Sequence, residues 1–170
     1  MHGLVGAMIG AVLLTGCVSV NAEDIGESAG PVARTYTTPT AAYARTIVIP
    51  SGYETIRLPG VVADPLGAGT AAAPTYGDTE QQTESVLAKI RASLAEAGVA
   101  ESDVVAATVY LVAPSGSAAM DFAAMNRAWA KHYGSADQPN RPVRSTVEVA
   151  GLVQPGMLVE IEVTAMRKPR

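Results

Sequence analysis

Beyond Ala41 the chain alternates between two hydrophobic rhythms. Tyr43–Pro50 and Tyr53–Val62 carry β-branched residues, among them Ile47, Val48 and Ile49, with Pro50-Ser51-Gly52 between them as a turn signal. They predict two short strands. The stretch from Asp64 to Gly77, with Pro65, Gly67, Gly69 and Pro74, predicts a loop. The rhythm then changes to a helical one. Val86, Leu87, Ile90 and Leu94 recur on one face, Thr79 with Gln82 makes a capping-box pattern, and Gly98 is a natural stop. Val104–Val112 predicts a central strand, broken by Pro114-Ser115-Gly116-Ser117. A second helix is expected from Asp121 to Tyr133, its Phe122, Met125, Trp129 and Tyr133 forming a stripe of core type. After the proline-bearing loop Asp137–Pro142 come two more strands, Pro142–Ala150 and Val159–Val163, read as joined by a turn through Gly151 to Gly156. In the last strand Val159, Ile161 and Val163 face one way and Leu158, Glu160, Glu162 and Thr164 the other. The order β-β-α-β-α-β-β defines an α+β domain, a mixed sheet with two helices packed on one face.

The first forty residues follow another pattern. Leu4–Leu14 is an apolar run too short for a membrane span of ~20 residues, and it ends in Leu14-Thr15-Gly16-Cys17. This resembles a signal peptide with a bacterial lipobox, residues 1–17, although Met1-His2-Gly3 supplies no Lys or Arg. An ordinary cleaved signal or an apolar helix is the alternative. Residues 18–40 hold no period and read as a flexible tether, which leaves the domain at 41–168. The expected location is the periplasmic side of the envelope. Val18 after the cysteine favours the outer membrane, and the membrane is then touched through the lipid alone.

Composition narrows the function. Hydrophobic residues make up 48% and charged ones 16%, with a net charge of −4, so the chain is a folded type with little affinity for nucleic acid expected. The one cysteine would be consumed by lipidation, and two histidines do not build a usual zinc site, so no metal is expected.

Chemistry concentrates in Arg144 and Glu160. An arginine opening a strand offers a planar fork for a carboxylate. A glutamate nearby can hold or activate water. Read as structure alone, Arg144 is a surface residue paired with Glu148, and Glu160 belongs to a solvated face. The residues Arg144-Ser145-Thr146-Val147-Glu148-Val149-Ala150, a turn, and Glu160-Ile161-Glu162 resemble the signature of the RidA (YjgF) family of reactive-intermediate deaminases. The resemblance continues through Gln82–Leu87, Ala97-Gly98, Asp103–Val105, Thr108–Leu111 and Asp121–Asn126. It implies a chorismate-mutase-like fold, a homotrimer with sites in clefts between subunits, and no cofactor. It implies that Arg144 holds a substrate carboxylate and that Glu160, with Glu162 as the alternative, activates water. It places Tyr43, Gly60, Asn126 and Thr146 at the substrate. Thr146 stands where many members have cysteine. The chain departs from the pattern at Leu58-Pro59-Gly60-Val61, where Pro59 replaces a serine that would contact ligand. The expected activity is hydrolysis of small 2-imino or 2-enamino acids to 2-oxo acids and ammonia. The alternatives are a non-catalytic binding module for small carboxylates or carbonyl compounds, an endoribonuclease and a structural envelope protein.

Overall fold

The computed structural model describes residues 30–67 and 74–168. The expected signal, lipobox cysteine Cys17 and most of the tether lie outside them. Six strands and two helices follow in order: β1 (Ala33–Thr35), β2 (Thr46–Val48), β3 (Glu54–Val62), α1 (Thr79–Glu96), β4 (Val104–Leu111), α2 (Phe122–His132), β5 (Val143–Glu148) and β6 (Val159–Arg167). A single 3₁₀ turn, Glu101–Asp103, precedes β4.

The main sheet has the order β3-β6-β4-β5. Its β4–β5 pairing is parallel and the others are antiparallel, so the sheet is mixed. The expected α+β architecture holds, with two corrections. Residues 18–40 were assigned to a tether, yet β1 lies inside that range and pairs with β2 in a separate two-stranded ribbon. Folded chain therefore begins ahead of Ala41, and one more strand precedes β3 than the pattern gave. A three-residue strand is too short to show a period. Second, the two C-terminal strands are not neighbours, because β4 lies between them. Parallel strands need a long crossover, and α2 supplies it between β4 and β5.

Helix α1 buries Thr79, Gln82, Thr83, Val86, Leu87, Ile90 and Leu94 on one face. Its cap is Asp78, one residue earlier than expected, whose carboxylate accepts from the Gln81 backbone while the Gln81 side chain accepts from the Asp78 backbone. Gln82 is thus free for another task. Fully buried, its amide donates to the carbonyls of Gly77 and Gly156 and its oxygen accepts from the Leu158 backbone at 2.7 Å, tying two loops to the helix. A buried amide must be satisfied in this way. At the far end Gly98, at φ +73°, and Val99 bond back to Ala95 and Leu94 in a Schellman closure.

The core lies between the helices and one face of the sheet. Val109, Leu111, Val159, Ile161, Val163 and Ala165 meet Leu87, Ile90, Leu94, Met125 and Trp129. The opposite face, with Thr108, Tyr110, Glu160, Glu162 and Thr164, remains half-exposed, as the alternation of β6 predicted.

Candidate functional site

Strand alternation and register decide where each candidate residue points. Arg144 on β5 pairs with Ala107 of β4, which pairs with Val163 of β6. Arg144 therefore belongs to the helix-covered face. Glu160 pairs with Tyr110, and Tyr110 with Val147, on the other face. Within one chain the two principal residues lie on opposite sides of the sheet.

The Arg144 side is assembled in detail. Because β5 is an edge strand, its arginine can reach past the sheet to α2. One Nη donates to Asn126 Oδ1 at 2.7 Å, and the other lies 3.8 Å from the Met125 sulfur. The guanidinium carbon is 4.7 Å from the centre of the Trp129 ring and 5.7 Å from those of Tyr43 and Phe122. Aromatic faces attract a guanidinium, whose planar fork suits a carboxylate. Tyr43 arrives there because Ala44, buried beside it, donates its backbone N–H to the Pro142 carbonyl at 2.8 Å. Burial lowers the Arg144 pKa from its ordinary value to about 10, with Tyr43 acting in the opposite direction. The group stays cationic at neutral pH. Glu148, its alternative partner in the sequence, accepts instead from the Met120 backbone at 3.3 Å.

Thr146 shares the Arg144 face, paired with Val109, and its hydroxyl is buried without a hydrogen-bond partner. Tyr43 and Asn126 thus converge on Arg144, with Thr146 two positions along the same strand face. The aromatic stripe of α2, read as core, is only partly so. Met125 and Trp129 are fully buried, but Phe122 is 43% exposed and turns toward Arg144. Phe122 and Trp129 were missed as site residues. Their spacing on either side of Asn126, one turn away in each direction, was the available signal.

Gly60 and Glu160 meet on the other side. The β3–β6 register shifts between Leu58 and Val61, so Pro59 and Gly60 form a bulge. β3 is an edge strand, where a proline without N–H is tolerated. A Cβ at Gly60 would overlap the Glu160 carboxylate. This contact distinguishes the two glutamates, since Glu162 instead accepts from the Tyr110 hydroxyl at 3.3 Å. That carboxylate and burial raise the Tyr110 pKa, burial first.

His132 is no part of either cluster. Its Nδ1 is 2.8 Å from Glu101 and its Nε2 is 3.2 Å from Glu84, joining α2 to the 3₁₀ turn and to α1. Two carboxylates facing the two ring nitrogens favour the protonated ring, which can donate to both. Its pKa is raised, chiefly by the Glu101 bond.

No group of three or more His, Cys, Asp or Glu among the described residues is placed to hold a metal. No described helix is long and apolar enough to cross a membrane.

Within one chain the candidate residues form two separate clusters, an arginine held on one sheet face and a carboxylate beside a glycine bulge on the other. The Endoribonuclease L-PSP family model matches residues 34–167, and the chain belongs to that family. Among curated proteins, a RutC family protein of Pyrococcus abyssi is 37% identical over 92 residues, covering 54% of this chain and 65% of its own length. The RutC family protein YoaB of Escherichia coli K12 is 39% identical over 88 residues, 52% of this chain and 69% of its own. The chain spans about 65% of the length of the Pyrococcus relatives it matches. Among solved structures, a conserved Rid-family protein of Yersinia pestis superposes with TM-score 0.58 at 26% identity, covering 79% of this chain and 96% of that one. A YjgF-family member of Neisseria meningitidis gives TM-score 0.52 at 30% identity, covering 82% and 98%. The family expectation drawn from the sequence is met.

Proposed function

We propose that the protein hydrolyses small 2-imino or 2-enamino acids, adding water and releasing a 2-oxo acid and ammonia. The single observation that carries this reading is the built Arg144 fork, half-buried and held by Asn126 and three aromatic rings. Arg144 binds the substrate carboxylate. On the same strand face as Arg144, Thr146 is assigned the ligand's nitrogen or carboxylate, supported by its unpartnered hydroxyl. Glu160 holds the water that attacks the imine carbon, and the nitrogen leaves as ammonia. Positioning and proton transfer suffice for this step.

Because Arg144 and Glu160 occupy opposite sheet faces, the reading requires a second copy. In the proposed homotrimer, a cleft joins Arg144, Asn126 and Tyr43 of one subunit with Gly60 and Glu160 of the next. We place the chain in the cell envelope, lipidated at Cys17 and held at the outer membrane. Detergent phase partition of the parent and Cys17→Ala tests that placement, and equal partition removes it.

The principal experiment generates imino acids with an amino-acid oxidase and follows semicarbazone trapping with and without the protein. Faster imine loss that disappears in Arg144→Ala is the expected result. A folded protein that accelerates no imine overturns the reading. One observation favours a second reading, a binding module that holds small carboxylates without turnover. Pro59 occupies the bulge beside Glu160 and brings no hydroxyl there. Saturable carboxylate binding without ammonia release is its signature. For the ribonuclease activity in the family's name, the one described histidine offers little, because His132 is tied between two carboxylates.

A further inference from the structure

A pocket of about 330 Å³ opens where the chain entering β1 meets the end of β6. Pro31 and Val32 reach it from the first side, Lys168 from the second, and Arg34 of β1 belongs to its wall. The Tyr53 hydroxyl, also on the wall, donates to the Gly30 carbonyl at 3.0 Å and pins the incoming chain. The pocket shares no residue with the Arg144 fork. Arg34 is half-buried, and its hydrogen-bond partners are all neutral. One Nη donates to the carbonyls of Ser102 at 3.0 Å and Val104 at 3.3 Å. The Nε is enclosed without a partner. The other Nη has no acceptor among the described residues and is not enclosed, so its hydrogens remain for the pocket. Among the described residues Arg34 and Lys168 form no ion pair, whereas Lys89, Arg127 and Arg167 each meet a carboxylate. The carboxylate on this wall is Asp103, which accepts from the Ala100 backbone at 2.8 Å within the 3₁₀ turn. Two cations against one carboxylate leave an excess of positive charge. A half-buried cation without a counterion is destabilising, and a bound anion offsets that.

We infer that this pocket is an anion site that takes the phosphodiester of a phospholipid headgroup. The open nitrogens decide against a carboxylate. A planar carboxylate is gripped best by two guanidinium nitrogens side by side. The bonds from one Nη to two carbonyls and the enclosure of Nε close both such edges of Arg34. A tetrahedral phosphate instead presents separate oxygens. One meets the remaining Nη, and another meets the Lys168 ammonium, a point charge on a movable stem. A single excess charge matches a diester better than a monoester, which carries nearly two negative charges. The volume lies near the lower end of ligand sites, roughly 300–1,000 Å³, and suits a headgroup. Position names the source. Twelve residues separate Cys17 from Gly30, and they span roughly 40 Å at most. With Cys17 acylated, the pocket is held close to phospholipid heads. The lipid source rests on the envelope placement proposed above; the anion site does not.

Glycerophosphoglycerol, a soluble phospholipid headgroup, is the probe. It is titrated calorimetrically into the whole chain carrying Cys17→Ala, and its phosphorus resonance is followed alongside. One diester per chain is expected to bind. Lys168→Glu reverses an exposed charge without touching the core and is expected to weaken binding about 10-fold or more. Arg34→Gln is expected to do the same. Inorganic phosphate should bind more weakly than the diester, and acetate should leave the titration unchanged. No binding of the diester, or an affinity unmoved by Lys168→Glu, overturns the inference. Displacement of the diester by acetate overturns the phosphate class. Inorganic phosphate that binds as tightly as the diester overturns the headgroup and makes free phosphate the ligand. Lys168→Glu is expected to hydrolyse imines at the parent's rate. Failure here therefore leaves the deaminase reading standing, and failure of imine hydrolysis leaves this pocket standing.

Discussion

The two halves of the proposed cleft differ in how much of their geometry one chain supplies. Arg144 is gripped on the helix side by Asn126, Met125 and three rings. Glu160 sits on the open face with a glycine beside it and Tyr110 and Glu162 bonded to one another nearby. The first half is rigid before any ligand or partner arrives. The second lies on a half-exposed face, with Gly60 close against its carboxylate. A charge that must meet a substrate carboxylate gains from being fixed in advance, since ordering it during binding would cost affinity. A carboxylate that must exchange water and protons gains from access.

Mixing breaks or sharpens this comparison most directly. Arg144→Ala and Glu160→Ala chains, each inactive alone, are refolded together and assayed for imine hydrolysis. If a site takes one residue from each of two subunits, random assembly restores about a quarter of the parent's sites. Recovery of nothing places both residues in a single-chain site or in none.

Next in size is the support beneath the fork. Trp129→Ala removes a fully buried ring and is expected to destabilise the fold by about 3–5 kcal/mol in urea unfolding. No change in stability would mean that the ring is not the core of the grip. Glu160→Gln should leave the unfolding midpoint where it is and lower kcat about 100-fold, the scale of a lost proton-transfer group. A large loss of stability would instead assign Glu160 a structural part.

Arg144→Lys keeps the charge but not the fork. It should lower kcat/KM about 10- to 100-fold, the scale of hydrogen bonds to a charged group, mostly through KM. Parent-like kinetics would show that charge alone suffices.

The smallest effect is the pH dependence of the anchor at the end of α2. His132 has a raised folded pKa, so its contribution to stability is full below the ordinary 6.5 and is lost as pH rises through the folded value. Glu84 has a lowered pKa, with burial opposing bonds from Lys131 and His132, so its contribution is lost as pH falls through its own folded value below 4.5. The melting temperature should therefore decline on the alkaline side of 6.5, and His132→Gln should flatten that decline. An identical slope in both proteins would remove His132 as its source.

Much of the fold was legible because its signals are periodic. The apolar faces of α1 and β6 needed no tertiary information. What escaped was set by contacts between distant segments. Asp78 displaced Thr79 as the cap because Gln82 was required at the loops of Gly77 and Gly156. The last two strands read as joined through Gly151 to Gly156, but that β4 lies between them in the sheet leaves no trace in a local pattern. At the site, the motif residues Arg144 and Glu160 were visible by resemblance, yet their opposite faces follow only from pairing with Ala107 and Tyr110. Phe122 looked like core because its spacing is that of core. The edge position of β5 is what turns it to an arginine.

The Pro59–Gly60 bulge has a consequence for how the chain behaves in a crowd. An edge strand offers a row of free amides on which another strand can nucleate. Proline has none, and the bulge breaks the remaining row at Leu58 and Val61. The β3 margin is thereby a poor template for sheet growth. Replacing Pro59 with serine would add a hydroxyl to the bulge and, in the same stroke, return an amide to the strand. A gain in chemistry there would come with a greater tendency to aggregate.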